Sequence, residues 1–510
     1  MTIDLAKNLN EYSEILGVDV PLAEAIEKLE PGNITDILKR IAEEPQTETE
    51  RSVYIDKLAK KASVSKRAIN KDLKRLMPDL PEDDDEWSKA ALFEGLVDIV
   101  VNEDGEPAYL VKEGESLVMK TSHDDAEKSL IIPPQKKQLP FGLVNGREVL
   151  DWYANDDHQK LFNDVMGYLK RFSYTEDNQF QILACFAFLT HLQDHKGIDY
   201  LPIIYLFAAP EHGKTRTGKS MTHICYRGIH CVDLRETNIF RFSDRLRPTL
   251  FFDIMDLWSQ IERSNSKDLF LLRFERGAIV PRVQDPAKGP FDDMTMFEIF
   301  GATIIASNKD VHVILGTRCI PIDMPSKPGF YENPSPNKAT DIKARLLAWR
   351  AHYLDQPLPE IEIVPALIGR LWDISQPLLQ VCQMVCPQRY DELVSTLTGI
   401  AESKKAEKSE TFEAKIIKII HEQFVEAKDS GFNAPIIATA RVLKQVNEGL
   451  TDGFKMSSQG FGKKLKAIGI KTTNIGGYSK IVIDEKALGE LMQQYGLETD
   501  PDDNTFDSVS

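Results

Sequence analysis

From the N-terminus, apolar positions first recur at helical spacing. Leu5, Leu9, Ile15, Leu16, Ala23, Ile26 and Leu29 predict helix within residues 1–50. A tighter unit follows in RSVYIDKLAKKASVSKRAINKDLKRL. Val53, Ile55, Leu58 and Ala59 mark one helix and Ala68, Ile69, Leu73 and Leu76 a second, with Ser63 and Ser65 as cap candidates between them. This is a helix-turn-helix pattern, and residues 1–77 read as one helical region. PDLPEDDDEW lies in a proline-bounded acidic linker over 78–91. The period then changes to two. GLVDIVV, AYLVK, SLVMK and SLIIPP predict a small β-module over 92–140. From 141 to 335, helices such as ILACFAFLTHL alternate with short apolar strands, the pattern of a multidomain α/β protein. Residues 336–400 read as a helical lid and 401–410, around ESKKAEKSE, as a charged linker.

Composition narrows the class. The chain has 510 residues, 42% hydrophobic and 28% charged, ordinary for soluble globular protein and enough for several domains. A disordered chain, a collagen-like chain and a disulfide scaffold are excluded, and no apolar run approaches the ~20 residues of a spanning helix. The first residues lack a basic-then-apolar signal, and six scattered cysteines suggest free thiols in a reducing cytoplasm. The net charge is −17, yet Arg51–Arg75 holds nine basic and two acidic residues, and Phe454–Lys480 holds six lysines and no acid. Two basic islands in an acidic chain point to local phosphate contact, as with nucleic acid.

The chemistry concentrates after the strand LPIIYLF (201–207). Gly213 to Ser220, GKTRTGKS, fits G-x-x-x-x-G-K-[ST] without mismatch. In this register Gly213, Thr217 and Gly218 shape the phosphate cradle, and a helix begins near Ser220. Lys219 neutralises the β- and γ-phosphates of ATP, and the Ser220 hydroxyl ligates Mg²⁺. PTLFFDIMD places Asp253 at the end of a second strand as the carboxylate of the Mg²⁺ shell. The acid that would polarise water is absent at Ile254, and Asp256 either takes that role or caps a helix. GATIIASN ends a third strand on the amide of Asn308. Arg318, ahead of CIPI, fits a finger supplied to a neighbouring subunit. Lys343, Arg345 and Arg350 lie on one helix, either as a nucleotide sensor or as a solvated basic face.

Between the second and third strands, AIVPRV and MTMFEIF flank a DPAKGP tip. The expected hairpin puts Arg282 and Lys288 either against nucleic acid or at a subunit contact. Residues 411–497 read as helices followed by a hairpin in IKTTNIGGYSKIVID, the order of a winged helix. Its Lys463, Lys464, Lys466 and Lys471 are candidate DNA contacts, with protein docking as the alternative. His223, Cys225, His230 and Cys231 read as packing residues rather than zinc ligands, and Cys382 and Cys386 as buried thiols. Residues 498–510 read as an acidic disordered tail.

With GKTRTGKS, PTLFFDIMD, the RFERGAIVPRV hairpin, FGATIIASN and TRCIPIDMP in this order, residues 140–500 resemble the AAA+ replicative ATPases of phages and mobile elements, MCM-like or superfamily-3-like. Residues 51–76 resemble the segment joining primase and helicase modules in phage primase-helicases. The resemblance implies an AAA+ P-loop core, a pre-sensor-1 hairpin, Asn308 as sensor 1, Arg318 as arginine finger, and a hexameric ring that couples ATP hydrolysis to movement along single-stranded or forked DNA. A primase or other replication protein is the implied partner. The alternatives are an ATP-switched DNA-binding initiator or loader, and a protein remodeller.

Overall fold

The computed structural model describes the helices between 22 and 62, scattered positions to 73, and residues 88–124 and 130–497. Within the last span it leaves out 156, 210, 233–234, 255–256, 264–266, 284–288, 290–292, 310, 431–435, 449 and 451–454. The acidic linker around 78–87, Asp256, Lys288 and the tail at 498–510 therefore lie outside the described residues. The chain divides into two compact units, residues 1–89 and 90–510.

In the first unit, α1 (Leu22–Glu27), α2 (Ile34–Glu43) and α3 (Glu48–Ala62) share a small core of Ile26, Ile37, Leu38, Ile41 and Leu58. Ile69 and Leu73 of the second expected helix are buried in the same core. Most of that helix lies outside the described residues.

The second unit opens with the antiparallel strands β1 (Leu96–Val101), β2 (Pro107–Glu113) and β3 (Ser116–Lys120), followed by the short pair β4 (His123–Asp124) and β5 (Leu130–Ile132). This β-module is not a free-standing domain. Buried Asp98 of β1 pairs with the fully buried Arg227 at 2.7 Å, and Arg350 donates to the carbonyls of Leu96 and Val97. Two buried guanidiniums thus fasten it to the core behind it, and breaking either pair would strand a charge away from water.

Three helices follow: α4 (Gly146–Asn155), α5 (His158–Lys170) and α6 (Asp177–Thr190). Every residue of α6 from Phe180 to Thr190 is buried, as expected of a helix apolar on all sides. The core sheet comes next. Its strands are β6 (Ile203–Phe207), β7 (Ile229–Cys231), β8 (Leu250–Asp253), β11 (Thr303–Ser307) and β12 (Cys319–Asp323), all parallel, in the spatial order β12-β6-β11-β8-β7. The fourth of these in sequence lies between the first and the third, so the ends of β6, β11 and β8 stand side by side. Helices α7 (Lys214–Ile224), α8 (Glu236–Leu246), α9 (Leu257–Arg263) and α10 (Lys267–Leu272) accompany the sheet. The expected hairpin forms from β9 (Ile279–Val283) and β10 (Met294–Glu298), and the short α11 (Val313–Gly316) precedes β12.

Beyond the sheet come α12 (Thr340–Tyr353), α13 (Arg370–Val385) and α14 (Tyr390–Ser409). The expected linker at 401–410 is instead almost entirely the last part of α14. ESKKAEKS consists largely of good helix formers, and Lys404 Nζ donates to the carbonyls of Gly316 and Cys319, tying that stretch to the core. The C-terminal part has its own core of Ile416, Ile420, Val442, Phe461, Leu465 and Ile481. Its order is α15 (Phe412–Asp429), β13 (Ile437–Ala438), α16 (Thr439–Glu448), α17 (Ser458–Ile468), β14 (Thr472–Ile475), β15 (Tyr478–Ile481) and α18 (Glu485–Gln494). Strands β13, β15 and β14 form one antiparallel sheet, and Gly476 and Gly477, both at positive φ, make the two-residue turn. No helix among the described residues is long and apolar enough to cross a membrane.

Candidate nucleotide site

The loop after β6 leads directly into α7, and this decides the register of the site. Gly213 is the N-cap of α7, at φ 87°, and the helix begins at Lys214 rather than near Ser220. The first-turn amides therefore open at Gly213–Thr215, where a helix N-terminus attracts anions. Lys214 is buried and curls back over the loop, donating through Nζ to the carbonyls of Ala208 and Ala209, both at 2.7 Å. Burial pushes its ammonium pKa down, with Asp253 opposing. Thr215 donates from Oγ1 to Oδ2 of Asp253 at 2.6 Å.

The lysine and serine expected to hold phosphate and metal sit one turn or more further along α7. Ser220 is fully buried and donates its hydroxyl to the carbonyl of Thr217 at 2.9 Å. Lys219 is half-buried and does not line the cavity at the helix mouth. Gly218 serves packing: a Cβ there would lie 2.0 Å from the Phe251 ring, so its absence lets α7 close against β8. Thr217 is buried, with its hydroxyl donated to Ser173 Oγ at 2.7 Å. Of the residues expected in the cradle, Gly213 alone lines the cavity. The spacing from Gly213 to Ser220 takes no account of distance from the strand, and it runs into the interior of α7. Starting the same spacing at Ala208, immediately after β6, gives Ala208-x-x-x-x-Gly213-Lys214-Thr215, with alanine in the first glycine's place.

The cavity has a volume of about 720 Å³. Gly213, Lys214 and Thr215 form one side of it, and Asp253 and Asn308 another. Ala306 pairs in register with Asp253, so β11 delivers Asn308 beside the end of β8. The chain after β12 completes the lining with Pro325–Gly329 and Tyr331. Several contacts hold this strap down. His212 Nδ1 bonds the Met324 carbonyl at 3.0 Å, and Arg216 donates to the Tyr331 carbonyl at 3.1 Å. Arg171 grips Glu332 with two hydrogen bonds, at 3.0 and 2.9 Å. Hydrogen bonds from Arg171 and then Lys338 hold the Glu332 carboxyl down to about 2. Lys327 stands 3.9 Å over the Tyr174 ring at the cavity wall.

Other expected residues land elsewhere. Arg318 is buried within the chain, donating to the Ile314 carbonyl at 2.7 Å and lying over the Phe274 ring. A group presented across a subunit boundary would be exposed. Lys343, Arg345 and Arg350 are buried too, and none reaches the cavity. Lys343 donates to the Gly142 carbonyl, Arg345 pairs with Asp164, and Arg350 pairs with Asp194. They do not form a solvated face, because each is buried and its guanidinium or ammonium satisfies a neighbouring carbonyl or carboxylate. Arg282 pairs with Glu236 and covers the Phe240 ring, so it faces α8. On the C-terminal domain, Lys463, Lys466 and Lys471 are exposed, whereas Lys464 is half-buried and paired with Glu413.

Neither a protein-family model nor a curated protein matches this sequence. In structure the chain is similar to the apo C-terminal region of NrS-1 in two solved forms, at 9% and 10% identity and a TM-score of 0.33 in each. The matches cover 76% and 77% of this chain and 96% and 97% of those. It is also similar to SCCmec type IV Cch, described as an active helicase, at 13% identity and a TM-score of 0.32, over 91% of this chain and 89% of that one.

Proposed function

We propose that this chain is an ATP- and Mg²⁺-dependent AAA+ DNA helicase or translocase, acting as an oligomeric ring, a hexamer, in replication of a phage or mobile element. The observation that carries the ATPase reading is the meeting of Lys214, Thr215 and Asp253 at the mouth of α7. The residues fit the cofactor. A hydroxyl and a carboxylate make a hard oxygen donor set suited to Mg²⁺, beside open helix amides suited to phosphate. The ion, when bound, supplies charge neutralisation on the β- and γ-phosphate oxygens. Lys214, now on two loop carbonyls, would release them to hold phosphate oxygens with its partly desolvated ammonium. Thr215 and Asp253, now bonded to each other, would hold the ion with their oxygens. Asn308, between them and the end of β6, orients the attacking water.

The nucleic-acid reading rests on the C-terminal domain. Its order of helices and antiparallel strands matches a winged helix, and exposed Lys463, Lys466 and Lys471 lie on α17 and at the start of the wing. The test is ATP hydrolysis with and without single-stranded and forked DNA, together with strand displacement. DNA-stimulated hydrolysis with displacement supports the proposal, and hydrolysis indifferent to DNA overturns the nucleic-acid part. A second reading, an ATP-switched DNA-binding initiator, is favoured by the buried Arg318 and by the buried Ile254 directly after Asp253. It predicts ATP-dependent DNA binding without displacement.

A further inference from the structure

Away from the nucleotide cavity, three thiols meet inside the protein. Cys185 lies on α6, Cys382 on α13, and Cys386 caps the end of α13. All three are fully buried, and their sulfurs lie within 4.8 Å of one another, with Cys382 and Cys386 at 3.5 Å. The i, i+4 spacing of Cys382 and Cys386 puts both on one helix face. Gln181 stands at i−4 from Cys185, so α6 presents an amide and a thiol to those two thiols. The Gln181 Nε2 donates to the Arg389 carbonyl at 2.7 Å and lies 3.7 Å from Cys382 Sγ. Its Oε1 is buried without a hydrogen-bond partner.

Buried cysteines are usually small apolar filler. Filler does not explain three sulfurs in mutual contact beside an amide whose oxygen is left unsatisfied, since a buried orphan acceptor carries a desolvation cost. A metal explains both. With Zn–S near 2.3 Å, tetrahedral ligand sulfurs stand about 3.8 Å apart. Cys382 and Cys386 stand just inside that spacing and all three sulfurs within 4.8 Å of one another, so the site closes with small rotations of side chains.

We propose that Cys185, Cys382 and Cys386 form a structural site for a thiophilic d¹⁰ metal ion that ties α6 to the end of α13. Zn²⁺ would take Gln181 Oε1 as its fourth donor once that amide, whose Nε2 now faces Cys382 Sγ, rotates, whereas Cu⁺ would be held by the three thiolates alone. Three thiolates around Zn²⁺ leave one negative charge, beside an Arg389 guanidinium that is itself paired with Asp177 and Glu392. Metal loading releases the thiol protons to solvent, without redox change.

The test uses the untagged full chain, purified under reducing conditions, with total zinc and copper measured per chain. The metal-depleted chain is then titrated with Co²⁺. The expected result is close to one equivalent of one metal per chain, or saturable Co²⁺ binding with a thiolate-to-cobalt charge-transfer band. Zinc content with a tetrahedral Co²⁺ spectrum identifies the first ion, copper the second. Cys386→Ser, at the helix end where a polar change is best tolerated, should lower metal retention at least tenfold and remove the band. If that variant does not fold, the wild-type measurement alone still decides. Wild-type protein with under a tenth of an equivalent of metal and no charge-transfer band overturns the proposal. So does a folded Cys386→Ser chain that keeps both, or a Cys382–Cys386 disulfide recovered from metal-free protein.

Discussion

The hydroxyl of Thr215 donates to Asp253 Oδ2 across 2.6 Å, joining the first turn of α7 to the last residue of β8. Residues 38 positions apart thereby make one oxygen-lined corner at a helix N-terminus. The pair fixes the register of the site, because a hydroxyl deeper in α7 would be bonded within the helix, as Ser220 is.

That register gives the first prediction. Lys214→Ala should lower ATP turnover by roughly 10²–10³-fold and weaken nucleotide binding, since phosphate charge would go unpaired. Lys219→Ala should stay within about twofold of wild type. Steady-state hydrolysis of the two variants, measured side by side, decides. The reverse outcome would restore the Gly213–Ser220 reading.

Asp253→Asn and Thr215→Val should separate metal from nucleotide. Both should lose Mg²⁺-dependent turnover while keeping most of the nucleotide affinity measured in chelator, because Lys214 and the helix amides remain. A binding loss equal to the loss in turnover would contradict these roles.

Gly218→Ala tests why that glycine is present. A methyl 2.0 Å from the Phe251 ring forces α7 away from β8, and such overpacking costs about 1–3 kcal/mol. The thermal midpoint should drop, and adding Phe251→Leu should recover part of it. A glycine needed for phosphate contact alone would lose activity with no change in midpoint.

Acid sensitivity should trace partly to His191. Its Nε2 bonds the Ile224 carbonyl at 2.9 Å, and Arg350 donates to the backbone carbonyl of His191. Burial, then the nearby Arg350 charge, push its pKa down to about 3. The unfolded chain takes up this proton near pH 6.5 and the folded chain does not, so folding stability falls as pH drops from about 6.5 toward 3. The slope from this one group is about 1.4 kcal/mol per pH unit. His191→Gln should flatten the pH dependence of urea unfolding by one proton between pH 6 and 4.5, and an unchanged slope would show that the histidine titrates normally.

The basic face of the C-terminal domain makes a salt prediction. Each lysine contacting DNA phosphate should contribute roughly 0.7–0.9 to the slope of log affinity against log salt. Lys463→Ala with Lys466→Ala should flatten it by about 1.4–1.8. Lys464→Ala should change it least, because that ammonium is already paired with Glu413. Equal effects from all three would mean the ion pair opens on binding.

Much of this architecture was legible one residue at a time. Period-two runs located β1 to β3, the turn residues Gly476 and Gly477 located the β14–β15 hairpin, and apolar runs ending in Asp253 and Asn308 located two ends of the core sheet. These signals are local, since side-chain periodicity and turn conformation depend on neighbours in sequence. What spacing could not decide was which residues face the cavity. GKTRTGKS satisfies the motif letter for letter, yet its Lys219 and Ser220 lie inside α7, because the helix starts where Gly213 can adopt a positive φ and the loop from β6 ends. Charge misled in the same way. Lys343, Arg345 and Arg350 read as a nucleotide sensor or a solvated face, but each finds carbonyls or carboxylates brought in from distant sequence, such as Val97 for Arg350 across some 250 residues, and Arg318 is buried on the carbonyl of nearby Ile314. The sequence by itself determined most of the elements and put Asp253 and Asn308 at strand ends. Only the tertiary structure, by inserting β11 between β6 and β8 and packing α6 against α13, decided that Thr215 meets Asp253 and that Cys185 meets Cys382, because contact between distant residues is set by the order of strands and not by their own composition.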